Sequence, residues 1–268
     1  MAMRFRILGS GSSGNAALLQ TESTRVLIDA GFSGRKLTQM LHEADTRLDQ
    51  IDAIFITHEH GDHTAGIDTF TQKHPGVTLF ANAATRRAVQ QKLSQTPSWQ
   101  VFQTGSRFMF RDLEVDAFAV PHDAQEPVGF KFSTGSEADL FSPRRSLAWL
   151  TDLGHIPGHV RERIRDVDLI AIESNHCAQL LQADIRRPWS TKQRISGRHG
   201  HLSNEGCREI LEEIASPTWR HICLTHLSRD CNSLEAVESA MAGLRTKLTT
   251  CAFSIVGPGE GTPTLDLA

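Results

Sequence analysis

Residues 57–64 read THEHGDHT, which crowds three histidines, two acids and one glycine into a single short turn. The preceding run, IDAIFI at 51–56, is apolar and reads as a buried strand that ends at this cluster. On extended backbone, side chains two apart share a face, so His58 and His60 should point the same way. Gly61 then permits a sharp turn that returns Asp62 and His63 toward the same point. Imidazole nitrogens and carboxylate oxygens are the donors that catalytic zinc, manganese and iron accept. One strand-end histidine alone would read as a solvated or capping side chain. The full H-x-H-x-D-H pattern holds more donors than one tetrahedral ion needs. It fits two neighbouring ions, roughly 3.5–4 Å apart if they share a bridging oxygen.

Further donors stand where other apolar runs end. FAVPHD closes on His122, AWLTDLGH carries Asp152, and ICLTHLS carries His226. A carboxylate is the natural bridge between two cations, which makes Asp152 the candidate bridging ligand. His122 would complete one ion and His226 the other.

The rest of the chain suits a globular hydrolase. Its 268 residues are 39% hydrophobic and 22% charged, an ordinary composition that argues against wholesale disorder. The net charge of -3 gives no global field for nucleic acid, so a nuclease would need a local basic patch. No run approaches the roughly 18 apolar residues of a membrane span. The opening MAMRFRILGS lacks the apolar core and cleavage site of a signal peptide, so the expected location is the cytoplasm. Five cysteines without a CxxC pair argue against both a disulfide framework and a thiolate zinc knuckle.

Short apolar runs alternate with helical stretches from end to end. FRILG, AALLQ and RVLIDAG read as early strands. SGRKLTQMLHEA reads as a helix with Ser33 as N-cap and Leu37, Met40 and Leu41 on one face. A second helix is expected from about Ala65, and β-rich segments fill the middle. The last third alternates again through LIAIES, SNEGCREILEEIA, HICLTHLS and SLEAVESAMAGLRTKL. Mixed β-rich halves bearing helices predict sheet packed on sheet with helices outside. No linker is long enough to split the chain, so residues 1–268 are expected to form one domain.

The ordered series H-x-H-x-D-H, His, Asp, His resembles the metallo-β-lactamase fold superfamily over essentially the whole chain. The resemblance implies an α/β (α+β) fold, a four-layer αββα sandwich. It implies His58, His60 and His122 on one divalent ion, Asp62, His63 and His226 on a second, and Asp152 between them. The metals would be zinc or manganese, with iron also compatible. Asp62 and Asp152 favour the dinuclear phosphodiesterase and thiolesterase branches.

Three features bear on the substrate. GSGSSGNAALL at 9–19 is a serine- and glycine-rich loop whose N–H and hydroxyl groups, at Ser12, Ser13 and Asn15, could face an anion. In GHLSNEGCREIL, Ser203 or Asn204 would cap a helix, with His201 just ahead of its N-terminus. This element is similar to the His-Ser-Thr element of the transfer-RNA-processing RNase Z enzymes, and the likeness implies that His201 contacts the scissile phosphate. The segment 182–201 carries Arg186, Arg187, Lys192, Arg194 and Arg198 beside Trp189, a set able to hold phosphates and stack a base. Glu173, at another strand end, is expected to orient a ligand imidazole, and His176 is a candidate substrate contact.

At finer grain, GSGSSGN, HEHGDH, VPHDA, IESNH, GHLSN and THLSRDCN resemble the YycJ/WalJ-type branch, with Cys231 standing where that branch carries Asn. The resemblance implies a 5′-to-3′ DNA exonuclease in which a metal-bridging hydroxide attacks phosphorus, with Asp62 orienting the nucleophile. The alternatives are a phosphoribosyl cyclic phosphate phosphodiesterase, or a thiolesterase or lactonase on the same metals. The expected partner is nucleic acid or a small phosphodiester, with no membrane. Oligomeric state is left open, a homodimer included.

Overall fold

The computed structural model describes residues 3–139 and 143–267. Two sheets of seven strands each pack face to face. The first takes the order β14-β1-β2-β3-β4-β5-β6 and contains β1 (Arg4–Gly9), β2 (Ala16–Gln20), β3 (Arg25–Ile28), β4 (Ala53–Phe55), β5 (Thr78–Asn82), β6 (Ser98–Phe102) and β14 (Leu265–Asp266). The second runs β13-β12-β11-β10-β9-β8-β7, from β7 (Arg107–Phe110), β8 (Leu113–Ala119), β9 (Val128–Thr134) and β10 (Arg145–Leu150) to β11 (Leu169–Glu173), β12 (His221–Thr225) and β13 (Ala252–Ile255). In each sheet the chain switches from antiparallel to parallel pairing, at β3–β4 and at β10–β11.

Helices cover both outer faces, which explains why the strands read as continuous apolar runs rather than alternating ones. In β2, Ala17 and Leu19 face the core between the sheets, while Ala16 and Leu18 face the outer layer. That outer layer contains α1 (Gly34–His42), α2 (Gly61–Thr64), α3 (Ile67–Lys73) and α4 (Ala83–Gln90). The other outer face meets α5 (Gly158–Ile164), α8 (Asn204–Glu213) and α9 (Leu234–Lys247), through residues such as Val160, Leu211 and Met241. Between β11 and α8 lie two short helices, α6 (Ala178–Ala183) and α7 (Trp189–Ile195). The αββα layering is therefore the expected one. Among the described residues no helix is long and apolar enough to cross a membrane.

Ser33 caps α1 by accepting from the Lys36 N–H, and Leu37, Met40 and Leu41 are buried as the pattern requires. Two local readings change. The strand before the histidine cluster stops at Phe55, and the next helix starts at Gly61 rather than near Ala65. The cause is Asp29, whose carboxylate accepts from both the N–H and the hydroxyl of Thr57, at 2.8 and 3.0 Å. His58 and His60 therefore sit on a bend, not on a strand. Asp62 and His63 ride on the single turn of α2.

Candidate metal centre

The site forms where strand ends of the two sheets meet. Asp29, Asp152 and His226 follow β3, β10 and β12, and each adopts left-handed backbone, with φ of 60°, 57° and 55°. Gly31 lets the β3 loop press on α2, because a Cβ there would lie 1.6 Å from the carbonyl oxygen of Asp62. The Asn15 N–H donates to that same oxygen at 2.8 Å, so Asp62 is gripped through its backbone while its carboxylate turns toward His63 and His226.

Two trios of donors result. His58, His60 and His122 offer one ligand atom each, all within 4.8 Å of one another. Their ring centres lie 4.6, 5.2 and 5.2 Å apart. Asp62, His63 and His226 form the second trio by the same measure. Asp62 Oδ2 stands 3.6 Å from His63 Nε2 and 3.7 Å from His226 Nε2. Asp152 lies between the trios, with Oδ2 2.9 Å from His63 Nε2 and Oδ1 3.7 Å from His122 Nε2.

Carboxylates behind the rings fix which nitrogen faces inward. Asp29 Oδ2 takes His63 Nδ1 at 2.8 Å. Glu173 Oε1 takes Nδ1 of both His226 and His201 at 2.7 Å, while its Oε2 accepts from the Leu153 and Leu202 N–H groups at 3.0 and 3.2 Å. The Gly200 carbonyl holds His122 Nδ1 at 3.2 Å. In these four rings Nδ1 is committed outward and Nε2 is left for the centre, the second-layer arrangement that sets the tautomer of a metal-binding histidine; in His60, by contrast, it is Nδ1 that faces His58 Nε2, at 3.0 Å.

The electrostatics divide the site. Burial would push His226 down, but Asp152, with Asp62 and Glu173, outweighs it and raises the imidazole to about 10. His63 is likewise driven well above its ordinary range, because Asp29 and Asp152 overcome its burial. Burial with His63 nearby holds His58 well below, and burial lowers His122. Asp152 should rise on burial, yet His226 and His63 hold it well below the usual carboxylate range. His201 is raised, because Glu173 overcomes its burial.

The donor set fits divalent cations. Among the described residues neither His226 Nε2 nor Asp152 Oδ2, both buried, finds a partner in good hydrogen-bond geometry, although His63 Nε2 stands 2.9 Å from the latter. Orphaned buried polar atoms are costly unless something else satisfies them. A cation between the trios supplies that.

A cavity of about 230 Å³ opens over the trios, with Ser12, Arg194 and His201 on its walls. Three residues expected to touch substrate lie elsewhere. Asn15 is fully buried, its Oδ1 accepting from the Gly11 N–H and the Ser10 hydroxyl. Asn204 is also fully buried, in a network with Ser174 and Asn232. Ser203 spends its hydroxyl as the cap of α8, accepting from the Gly206 N–H at 3.0 Å. All three build the loops rather than line the cavity. Ser13 is exposed beside Ser12 and lines an adjoining hollow.

The basic stretch is largely paired: Arg186 and Arg187 with Asp184 and Asp230, and Arg194 with Asp123. Cys231 holds its loop by donating its N–H to the Ser228 hydroxyl at 3.2 Å. Asp29 escaped the sequence reading, although an acid closing the apolar run RVLID carries the same signal as Asp152.

Residues 24–227 match the model of the beta-lactamase superfamily domain. The chain belongs to the beta-lactamase superfamily. Within the superfamily it is 32% identical over 244 residues to the exodeoxyribonuclease YycJ of Bacillus anthracis, covering 90% of this chain and 89% of that protein. It is 34% identical over 245 residues to the exodeoxyribonuclease WalJ of Streptococcus pneumoniae serotype 2, covering 90% and 87%. The crystal structure of the metallo-beta-lactamase fold protein YhfI from Bacillus subtilis superposes with a TM-score of 0.71 at 15% identity, over 97% of this chain and 99% of that one, which shows the shared fold. Family and donor set together make this a metal-dependent hydrolase.

Proposed function

We propose that the protein is a dinuclear phosphodiesterase that degrades DNA as a 5′-to-3′ exonuclease, with one divalent ion at each trio and Asp152 shared between them. The observation that carries this reading is the cavity wall. Ser12, His60, Asp62, His122, Arg194 and His201 line it alongside Asp152 and His226, and no apolar side chain takes part. A thiolesterase or lactonase would need an apolar bed for its acyl group, whereas this wall suits a phosphodiester. The naming of YycJ and WalJ as exodeoxyribonucleases supports DNA as the substrate.

Bound at the trios, divalent ions would make a water nucleophilic near neutral pH and draw charge from the phosphoryl oxygens. The protein's own groups do the rest. Asp62 reaches the cavity from α2, where its carboxylate can orient the attacking water. His201, fixed at Nδ1 by Glu173, turns Nε2 toward the cavity, and as an imidazolium, the form that Glu173 favours, it would offset charge on a non-bridging oxygen. Ser12 and Arg194 stand on the wall to hold the flanking backbone. All five cysteines are free, in keeping with a reducing compartment such as the cytoplasm.

The test is hydrolysis by the purified protein, with zinc or manganese, of 5′-labelled single- and double-stranded DNA, a ribose cyclic phosphate and a thioester panel. Stepwise release from the 5′ end of DNA is expected. Preferential turnover of the cyclic phosphate or of thioesters overturns the exonuclease reading.

A further inference from the structure

Helix α7 has two working faces. Arg194 lines the metal-centre cavity. Trp189, Lys192 and Ser196 face a second hollow of about 80 Å³, closed on the far side by α6 through Leu181 and by His176 from the end of β11. The two hollows are tied through the backbone, because the His201 N–H donates to the Ile195 carbonyl at 2.7 Å. With a rise of 1.5 Å per residue, Trp189 stands about 7.5 Å along the helix from Arg194 on the cavity wall.

Three observations describe what this second hollow would take. Trp189 is 59% exposed, although tryptophan is normally buried. His176 is only 2% exposed, yet its Nδ1 has no hydrogen-bond partner among the described residues. The Lys192 ammonium donates to the Gln182 carbonyl and has no acidic partner among the described residues, so a cation stands at the rim. A flat aromatic face, an unsatisfied ring nitrogen and a cation beside them match a nucleobase with its backbone phosphate. The hollow holds roughly three waters at about 30 Å³ each, so a base would lie across its mouth with only an edge inside.

We infer that α6 and α7 form a base-stacking subsite, in which Trp189 receives an unpaired nucleobase of the strand being degraded while His176 meets its edge. This inference rests on the nuclease reading and sharpens it. A base can reach Trp189 only when it is unpaired, so single-stranded or frayed ends are the preferred substrate.

The test compares the wild type, Trp189→Ala and Trp189→Phe on 5′-labelled single strands carrying one abasic residue at successive positions from the end, and on blunt duplexes. In the wild type an abasic residue at one register should slow cleavage roughly 5- to 150-fold, the range for loss of one base–aromatic stack. Trp189→Ala should cut intact DNA more slowly by a similar factor and lose its sensitivity to the abasic position, while Trp189→Phe should keep most of both. A flat abasic scan in an active wild type, an unchanged scan in Trp189→Ala, or a preference for blunt duplexes overturns the subsite and leaves the nuclease standing. Failure to cut any DNA overturns both.

Discussion

Replacing Glu173 with glutamine changes almost no volume, yet it should disable half of the centre. The carboxylate accepts four N–H groups: two imidazole Nδ1 atoms on one oxygen and two backbone amides on the other. A glutamine offers one carbonyl oxygen and one NH₂. The backbone amides of Leu153 and Leu202 can only donate, so the carbonyl must turn to them. The NH₂ then faces two imidazoles, and these can adapt by accepting at Nδ1 and moving their proton to Nε2. Stability changes little, because every donor still finds an acceptor. In His226, however, the proton now sits on the nitrogen that faces Asp62.

Removing the Glu173 charge also loosens the hold of His226 on its extra proton, which by itself would favour metal. Asp152, whose charge raises His226 most, and Asp62 both remain, so the ring stays raised and the change of tautomer decides the outcome. Metal affinity should therefore fall about 10- to 100-fold, the usual cost of losing a group that orients a metal-binding histidine. Competition against a chelator of known affinity measures it, alongside melting of the metal-free protein. Glu173→Ala provides the contrast: it strands all four donors at about 1–3 kcal/mol each and should melt far lower. Wild-type metal affinity in Glu173→Gln would refute the argument that this carboxylate sets the tautomer.

Asp29→Asn tests the same logic at His63, and it should also weaken metal binding by about 10-fold or more, read by the same competition. Asp152→Ala should lose bound metal and hydrolysis together, so an elemental analysis showing normal metal content removes its bridging role. His201→Ala should keep its metal but turn over about 10²–10³-fold more slowly, the range for one lost partner of a developing anion, and a wild-type rate returns it to a structural role. In the metal-free protein His226 sits at about 10, so at pH 7.5 its imidazolium must give up a proton before it can bind metal. Calorimetry in buffers of different ionisation heat should show proton release on metal uptake, with affinity rising as the pH climbs toward 10, and zero release contradicts it.

The sequence was most informative where chemistry and pattern coincided. A hard donor closing an apolar run is conspicuous, so His122, Asp152 and His226 stand out as candidate ligands from their neighbours alone, and the layered architecture followed from runs too apolar for one-sided sheets. Asn15 and Asn204 show the limit. Their residue types suit a phosphate contact, but Asn15 turns inward to satisfy loop backbone and Asn204 to bond the Ser174 and Asn232 side chains, choices that depend on partners as distant as Asp62 and Asn232. The strand β7, RFMF, pairs only with β8 and alternates half-buried with exposed positions, so its apolar signal is diluted.

Nothing local announced the backbone strain at the ligands. Asp29, Asp152 and His226 all take left-handed φ, a conformation costing non-glycine residues of order 1–3 kcal/mol each. Glycine or asparagine would relieve it, but neither supplies a carboxylate or an imidazole there. The strained residues stand within two positions of a strand end, where the chain leaves the sheet. Two residues from different sheets, Asp29 and Asp152, are in this way brought onto the same imidazole of His63, at 2.8 and 2.9 Å. The fold itself thus gathers the candidate donors, from strand ends of both sheets, around one point.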